Sequence, residues 1–107
     1  ALAYLEEHPD ISADLLDLRS LQPWDQKAVE DTVKNTGRAL ILHEDTLTSG
    51  FGGEISAHIA EHCFAHLDAP IVRCASLDTA IPSNIILENN FLAKSHLGTA
   101  IKKLLAY

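Results

Sequence analysis

Positive charge is what this chain has little of: 8 lysines and arginines stand against 15 acids, a formal charge of −7 over 107 residues. A nucleic-acid or anionic-membrane surface needs clustered Lys and Arg, so neither is expected as a partner. No apolar run approaches the length that crosses a bilayer, and the opening ALAYLEEHPD has neither a basic region nor a cleavage pattern. Cysteine is scarce too. Cys63 and Cys74 fall on two different expected elements, where two small buried thiols in a reducing compartment are expected rather than a disulfide or a metal pair. Repeats and low-complexity tracts are absent. What is present is globular, 47% hydrophobic and 21% charged, and sized for one domain over residues 1–107 with a single core.

The stretch from Ala39 to Leu67, ALILHEDTLTSGFGGEISAHIAEHCFAHL, carries most of the information. Ala39-Leu40-Ile41-Leu42 is a short continuous apolar run, as in a strand covered on both faces. An acidic turn and a glycine-rich corner follow. A helix then begins near Gly52 and runs to Leu67, with Ile55, Ser56, Ile59, Ala60, Cys63 and Leu67 on one stripe. A strand feeding a helix through glycines is the building unit of a parallel α/β sheet.

Around that unit, residues 1–8 read as the tail of a helix with Leu2 and Leu5 on one side, stopped by Pro9. A strand is expected at about 14–19, and a turn at Pro23-Trp24. Asp25 caps a helix that carries Val29 and Val33 inward, and Gly37 ends it in the left-handed position. Residues 71–75 form another strand, 78–82 a loop, and 85–91 about one helical turn. A last helix over 95–106 has Leu97, Ile101, Leu104 and Leu105 as its core face. The expected order is helix, strand, helix, strand, helix, strand, helix. The strand that should precede the first helix of a doubly wound unit is not there, so the chain looks cut at its N-terminus.

Three clusters could carry chemistry. His58-Ile59-Ala60-Glu61-His62 fits H-x-x-E-H, the inverted zinc-peptidase pattern, with both histidines on one helix face, Glu61 as a potential base and His66 one turn further on. A third protein ligand is lacking and the acids downstream, Asp68, Asp78 and Glu88, are few. The plain alternative places all three histidines on the border between the buried stripe and water. Ser49-Gly50-Phe51-Gly52-Gly53-Glu54 opens a helix where N–H groups could hold a phosphate. Glu54, with Glu44 and Asp45 upstream, would repel an anion. There the glycines are expected to permit a tight corner, and Phe51 to plug a neighbouring surface. His43-Glu44-Asp45 follows the C-terminal edge of a strand, where open α/β sheets bind ligands, and an acid–base role would need a nucleophile that is not in view.

The segments DLRSLQPWD, LILHEDTLTSGFGGEISAHIAEHCFAHLDAPIVR and DTAIP resemble the C-terminal domain shared by transketolase and its relatives. The form most like it is the beta subunit, or beta half, of thiamine-diphosphate-dependent 2-oxo acid dehydrogenases, over about residues 13–83. The His43-Glu44 pair ahead of the T-S-G-F-G corner is more like the branched-chain type than the pyruvate type. The resemblance implies a three-layer α/β sandwich around a mostly parallel sheet, with helices on both faces. It also implies that thiamine diphosphate and magnesium are held by other domains of the full enzyme. No catalytic, cofactor-binding or metal residue then falls in this chain, which alone would be inactive. His43, Glu44, Thr48, Gly50, Phe51, Gly52 and Gly53 match the signature loop and become subunit-interface candidates. The implied partners are the thiamine-binding remainder of its own chain, a homodimer or alpha2beta2-type assembly, and the acyltransferase core. The implied location is the cytoplasm, or the mitochondrial matrix in a eukaryote. Two departures stand out: the missing first strand, which the family places between residues 14–19 and 39–44, and SNIILENNFLAKSHLG in place of a proline-rich stretch. Two rival readings remain, a self-standing small-ligand module above His43 and a zinc hydrolase.

Overall fold

The computed structural model describes residues 1–80 and 83–107, leaving aside the side chains of 87 and 88. Its elements run α1 (Leu2–Glu7), α2 (Gln26–Thr36), β1 (Leu40–Thr46), α3 (Phe51–Cys63), β2 (Val72–Ser76), α4 (Ile85–Phe91) and α5 (Leu97–Leu105). Short 3-10 turns at Phe64–His66 and Ala93–His96 continue α3 and lead into α5.

Local chemistry sets the ends of α2. The Asp25 carboxylate accepts the Ala28 amide proton at 3.0 Å, satisfying a donor that the first turn leaves free. Gly37 takes the left-handed conformation at φ 74° and returns its N–H to Val33 O at 2.8 Å. The chain then enters β1, which pairs in parallel with β2 in the register Leu40 with Val72, Ile41 with Arg73 and Leu42 with Cys74. A parallel pair needs a crossover, and α3 supplies it.

Alternation along the strands splits the core in two. Ile41 faces α2 and α3, packing with Val29, Val33, Ala39, Ile55, Ile59 and Cys63. Leu40, Val72 and Cys74 face the other way, toward Ala93, Leu97 and Leu104. Tyr4 of α1 packs on that second face, so α1 docks through its aromatic ring while Leu2 stays exposed. Helices therefore cover both faces of a small parallel sheet, the α/β layering expected from the sequence.

Several expectations are corrected. Residues 14–19 form no strand; among the described residues the sheet has two strands, and no ladder joins 14–19 to 39–44. A strand needs a neighbour for its backbone, and here Arg19 N–H turns to the Asp17 carboxylate at 3.2 Å and Ser20 N–H to Leu18 O at 2.6 Å instead. Only Leu18 of the leucine run reaches the core, while Leu15 and Leu16 are 54% and 42% exposed. Helix α3 ends at Cys63 rather than Leu67, and Ala60 and Leu105 lie outward. Residues 78–80 are irregular as expected of a loop, and 81–82 fall outside the described residues.

Candidate functional site

The β1–α3 corner is built around a break in the ladder. Pairing stops after Leu42–Cys74 and resumes at Thr46–Ser76, so His43, Glu44 and Asp45 fall in a register irregularity at the strand's C-terminal end. Glu44 O accepts the Ser76 hydroxyl at 2.5 Å, which holds the displaced backbone to β2. The loop beyond is tied the same way. Arg73 Nη1 donates to Leu47 O at 3.0 Å, and the Asp78 carboxylate accepts Thr48 N–H at 2.9 Å and also the Thr48 hydroxyl. Those Thr48 bonds, hydroxyl first and amide second, hold the Asp78 carboxyl below its ordinary value.

The glycines are needed for closeness rather than for handedness. A Cβ on Gly50 would sit 2.1 Å from Thr46 O, and one on Gly52 would sit 2.3 Å from His43 Nε2. The positive φ of the corner, 62°, belongs to Ser49, and Gly53 has nothing nearer than the Arg73 guanidinium at 3.6 Å. His43 lies beneath the two glycines with both ring nitrogens buried and without hydrogen-bond partners. Glu44 and Asp45 are exposed and neither bonds to it, so no acid–base pair forms there. Phe51 meets Trp24 edge-on with ring centroids 6.3 Å apart and packs, partly buried, against the Ile41 side of the core.

Beside the corner lies an open hollow of about 840 Å³ lined by Trp24, Asp45, Ser49, Phe51 and Glu54 among others. His43, the residue the small-ligand reading needed, is not part of its wall, nor of the wall of a smaller hollow of about 440 Å³ lined by Leu47, Arg73, Ser76 and Asp78 among others. Two carboxylates and no cation line the larger hollow, which suits neither a phosphate nor the diphosphate of a thiamine cofactor.

The histidine stripe is rearranged too. His58 is largely buried, donates from Nε2 to Glu30 Oε1 at 2.8 Å, and meets the Trp24 ring edge-on at 4.9 Å. His62 is exposed, stacked on His58 with centroids 4.0 Å apart, and its Nδ1 bonds His58 O at 2.9 Å. The 3-10 turn after Cys63 takes His66 off the stripe, and Glu61 points to solvent. Glu30 was invisible to motif reading, because it comes from α2, 28 residues before His58. Cys63 and Cys74 are free and buried, with burial pushing both thiols up.

Helices on both faces of a small parallel sheet and a β-to-α corner closed by glycines define an α/β domain class. Residues 1–96 match the family described as "Transketolase, C-terminal domain", and the chain belongs to that family. It is similar to the mitochondrial 2-oxoisovalerate dehydrogenase subunit beta of Dictyostelium discoideum, 44% identical over 109 residues, covering 100% of this chain and 29% of the relative. Subunit beta 2 of the same mitochondrial enzyme from Arabidopsis thaliana is 51% identical over 76 residues, 71% of this chain and 21% of the relative. The pyruvate dehydrogenase E1 component subunit beta of Porphyra purpurea is 43% identical over 83 residues, 78% of this chain and 25% of the relative. The chain thus spans less than a third of these relatives.

Proposed function

We propose that this chain is the C-terminal, non-catalytic assembly domain of a thiamine-diphosphate-dependent 2-oxo acid dehydrogenase decarboxylating component, acting on a branched-chain 2-oxo acid or pyruvate. The observation that carries the reading is the coverage: the whole chain aligns to under a third of a beta subunit. The corner supports it. Its hydrogen bonds are spent on rigidity, its hollow repels anions, and its exposed Glu44 and Thr48 face outward from a tied-down loop. The surface supports it as well. Leu15, Leu16 and Leu21 stand on one exposed segment, a load of apolar area that an assembled subunit would cover.

In this reading the domain helps hold a homodimer or alpha2beta2-type assembly, while magnesium and thiamine diphosphate are bound by the rest of the subunit and the acyl group passes to an acyltransferase core. His43, Gly50 and Gly52 shape the corner from beneath, and Glu44, Thr48, Phe51 and Gly53 form its outer side. The decisive test is calorimetric titration of thiamine diphosphate with magnesium into the isolated chain and into the full-length subunit assembled with its alpha partner. The expected result is stoichiometric binding to the assembly and none to the chain. Stoichiometric binding to the chain alone would overturn the proposal.

A further inference from the structure

The H-x-x-E-H pattern lacked a third protein ligand in sequence, and the fold supplies one from an unexpected direction. Glu30 of α2, His58 and His62 of α3 bring one donor atom each to within 4.8 Å of one another. We infer that these three side chains form a binding site for a first-row divalent transition metal of the zinc class, bridging α2 to α3.

The donor set is two imidazoles and one carboxylate, the combination that zinc takes with a fourth position left for water. Glu30 and His58 are already in place. His58 is only 10% exposed at its side chain and is fixed by the Trp24 edge on one side and Glu30 on the other. The carbonyl of His58 accepts only, so the His62 nitrogen that bonds it, Nδ1, carries the proton and Nε2 is left as the bare donor. Lys34 lies 3.7 Å from Glu30 Oε2, which leaves Oε1 for the metal and makes the carboxylate a one-oxygen ligand.

Tetrahedral zinc with bonds of about 2.0–2.1 Å sets its donors about 3.3 Å apart. The movement falls on His62, which is exposed and must swing its ring off the His58 face to aim Nε2 at the ion, while His58 and Glu30 already sit at 2.8 Å. Metal binding replaces the proton shared between them. From a cationic His58 that proton leaves to solvent; from a neutral ring it passes to Nδ1. Glu61, the base that a peptidase would need, is outside the cluster, so the site tethers two helices rather than activating water on a substrate.

The test is a cobalt(II) titration of the full-length protein after chelator washing, read by the visible d–d bands of four-coordinate cobalt, with zinc added as competitor. One cobalt per chain is expected, displaced by zinc. Both His62→Gln and Glu30→Gln should weaken it by more than about tenfold, the loss seen when even an outer partner of a metal ligand is removed. Glu61→Gln should bind as the unaltered protein does. Because His62 is exposed, His62→Gln keeps the fold, and circular dichroism verifies this for both variants. No cobalt bands in the unaltered protein, or bands that survive Glu30→Gln at the same affinity, would overturn the inference, the latter marking a surface histidine pair only.

Discussion

Gly50 and Gly52 are constrained by different sets of neighbours, and that difference is measurable. An added Cβ would meet the His43 ring at both positions, Cε1 at 2.7 Å from Gly50 and Nε2 at 2.3 Å from Gly52, but only at Gly50 does it also meet backbone, Thr46 O at 2.1 Å. Gly50→Ala and Gly52→Ala should each cost on the order of 1–3 kcal/mol, the usual range for forcing atoms into a packed place. Adding His43→Ala should rescue Gly52→Ala largely and Gly50→Ala only in part, since contacting sites couple but the Thr46 carbonyl cannot be trimmed away. Urea midpoints of the four variants in the full-length protein decide it. Equal rescue of both glycine variants would contradict the geometry.

Part of this was legible in the residue string. Three glycines within four residues after a strand announced a tight corner, and Asp25 and Gly37 announced the two ends of α2. Which glycine meets which neighbour was not, because His43 reaches them only through the ladder irregularity that two strands create together. Glu30 was hidden for the same reason: a partner 28 residues away is set by how α2 packs on α3, and no local spacing records that.

At the scale of elements, the one carboxylate among the ties between the corner and the end of β2 is Asp78, beside the Ser76 and Arg73 bonds. Asp78 accepts both the amide and the hydroxyl of Thr48, and its carboxyl lies below the ordinary value because those bonds favour the charged form. The unfolded loop then binds more protons than the folded one, so the tie is fully present above the ordinary aspartate range of about 3.9 and is lost as pH falls through the lower, folded value. Hydrogen exchange of the peptide spanning 46–50, corrected for its intrinsic pH dependence, should show protection that holds through neutral pH and collapses in acid. Asp78→Asn should lower protection at neutral pH, and the difference from the unaltered protein should vanish in acid. A constant difference across the range would show that the charge is irrelevant to the tie.

The elements also show where periodicity stops being informative. Apolar spacing found α2, α3, β1, β2 and α5 to within a few residues, since each buries a face against the others. The leucine run at 15–18 has strand-like composition and fails to become one, because a strand is defined by a neighbour and this one has none among the described residues. The same run is the clearest sign that composition and surroundings are mismatched here.

For the whole molecule, the Cα radius of gyration of 14.1 Å exceeds the roughly 13 Å of a compact domain this size. The two-stranded sheet and the exposed leucines at 15, 16 and 21 fit a body whose surface is finished by other protein. On this account the outer side of the corner meets another subunit, and exposed Glu44 and Thr48 are where that contact is most open to change. The most direct measurement is sedimentation velocity of the full-length subunit with its alpha partner, unaltered and carrying Glu44→Arg, whose side chain makes no bond among the described residues, with circular dichroism to verify the fold. A reversed charge on a packed contact should shift the boundary to smaller, folded species, and decarboxylation should fall in step with the loss of assembly. A variant that sediments as the unaltered assembly does, at full activity, would contradict the central claim that this corner is an assembly surface.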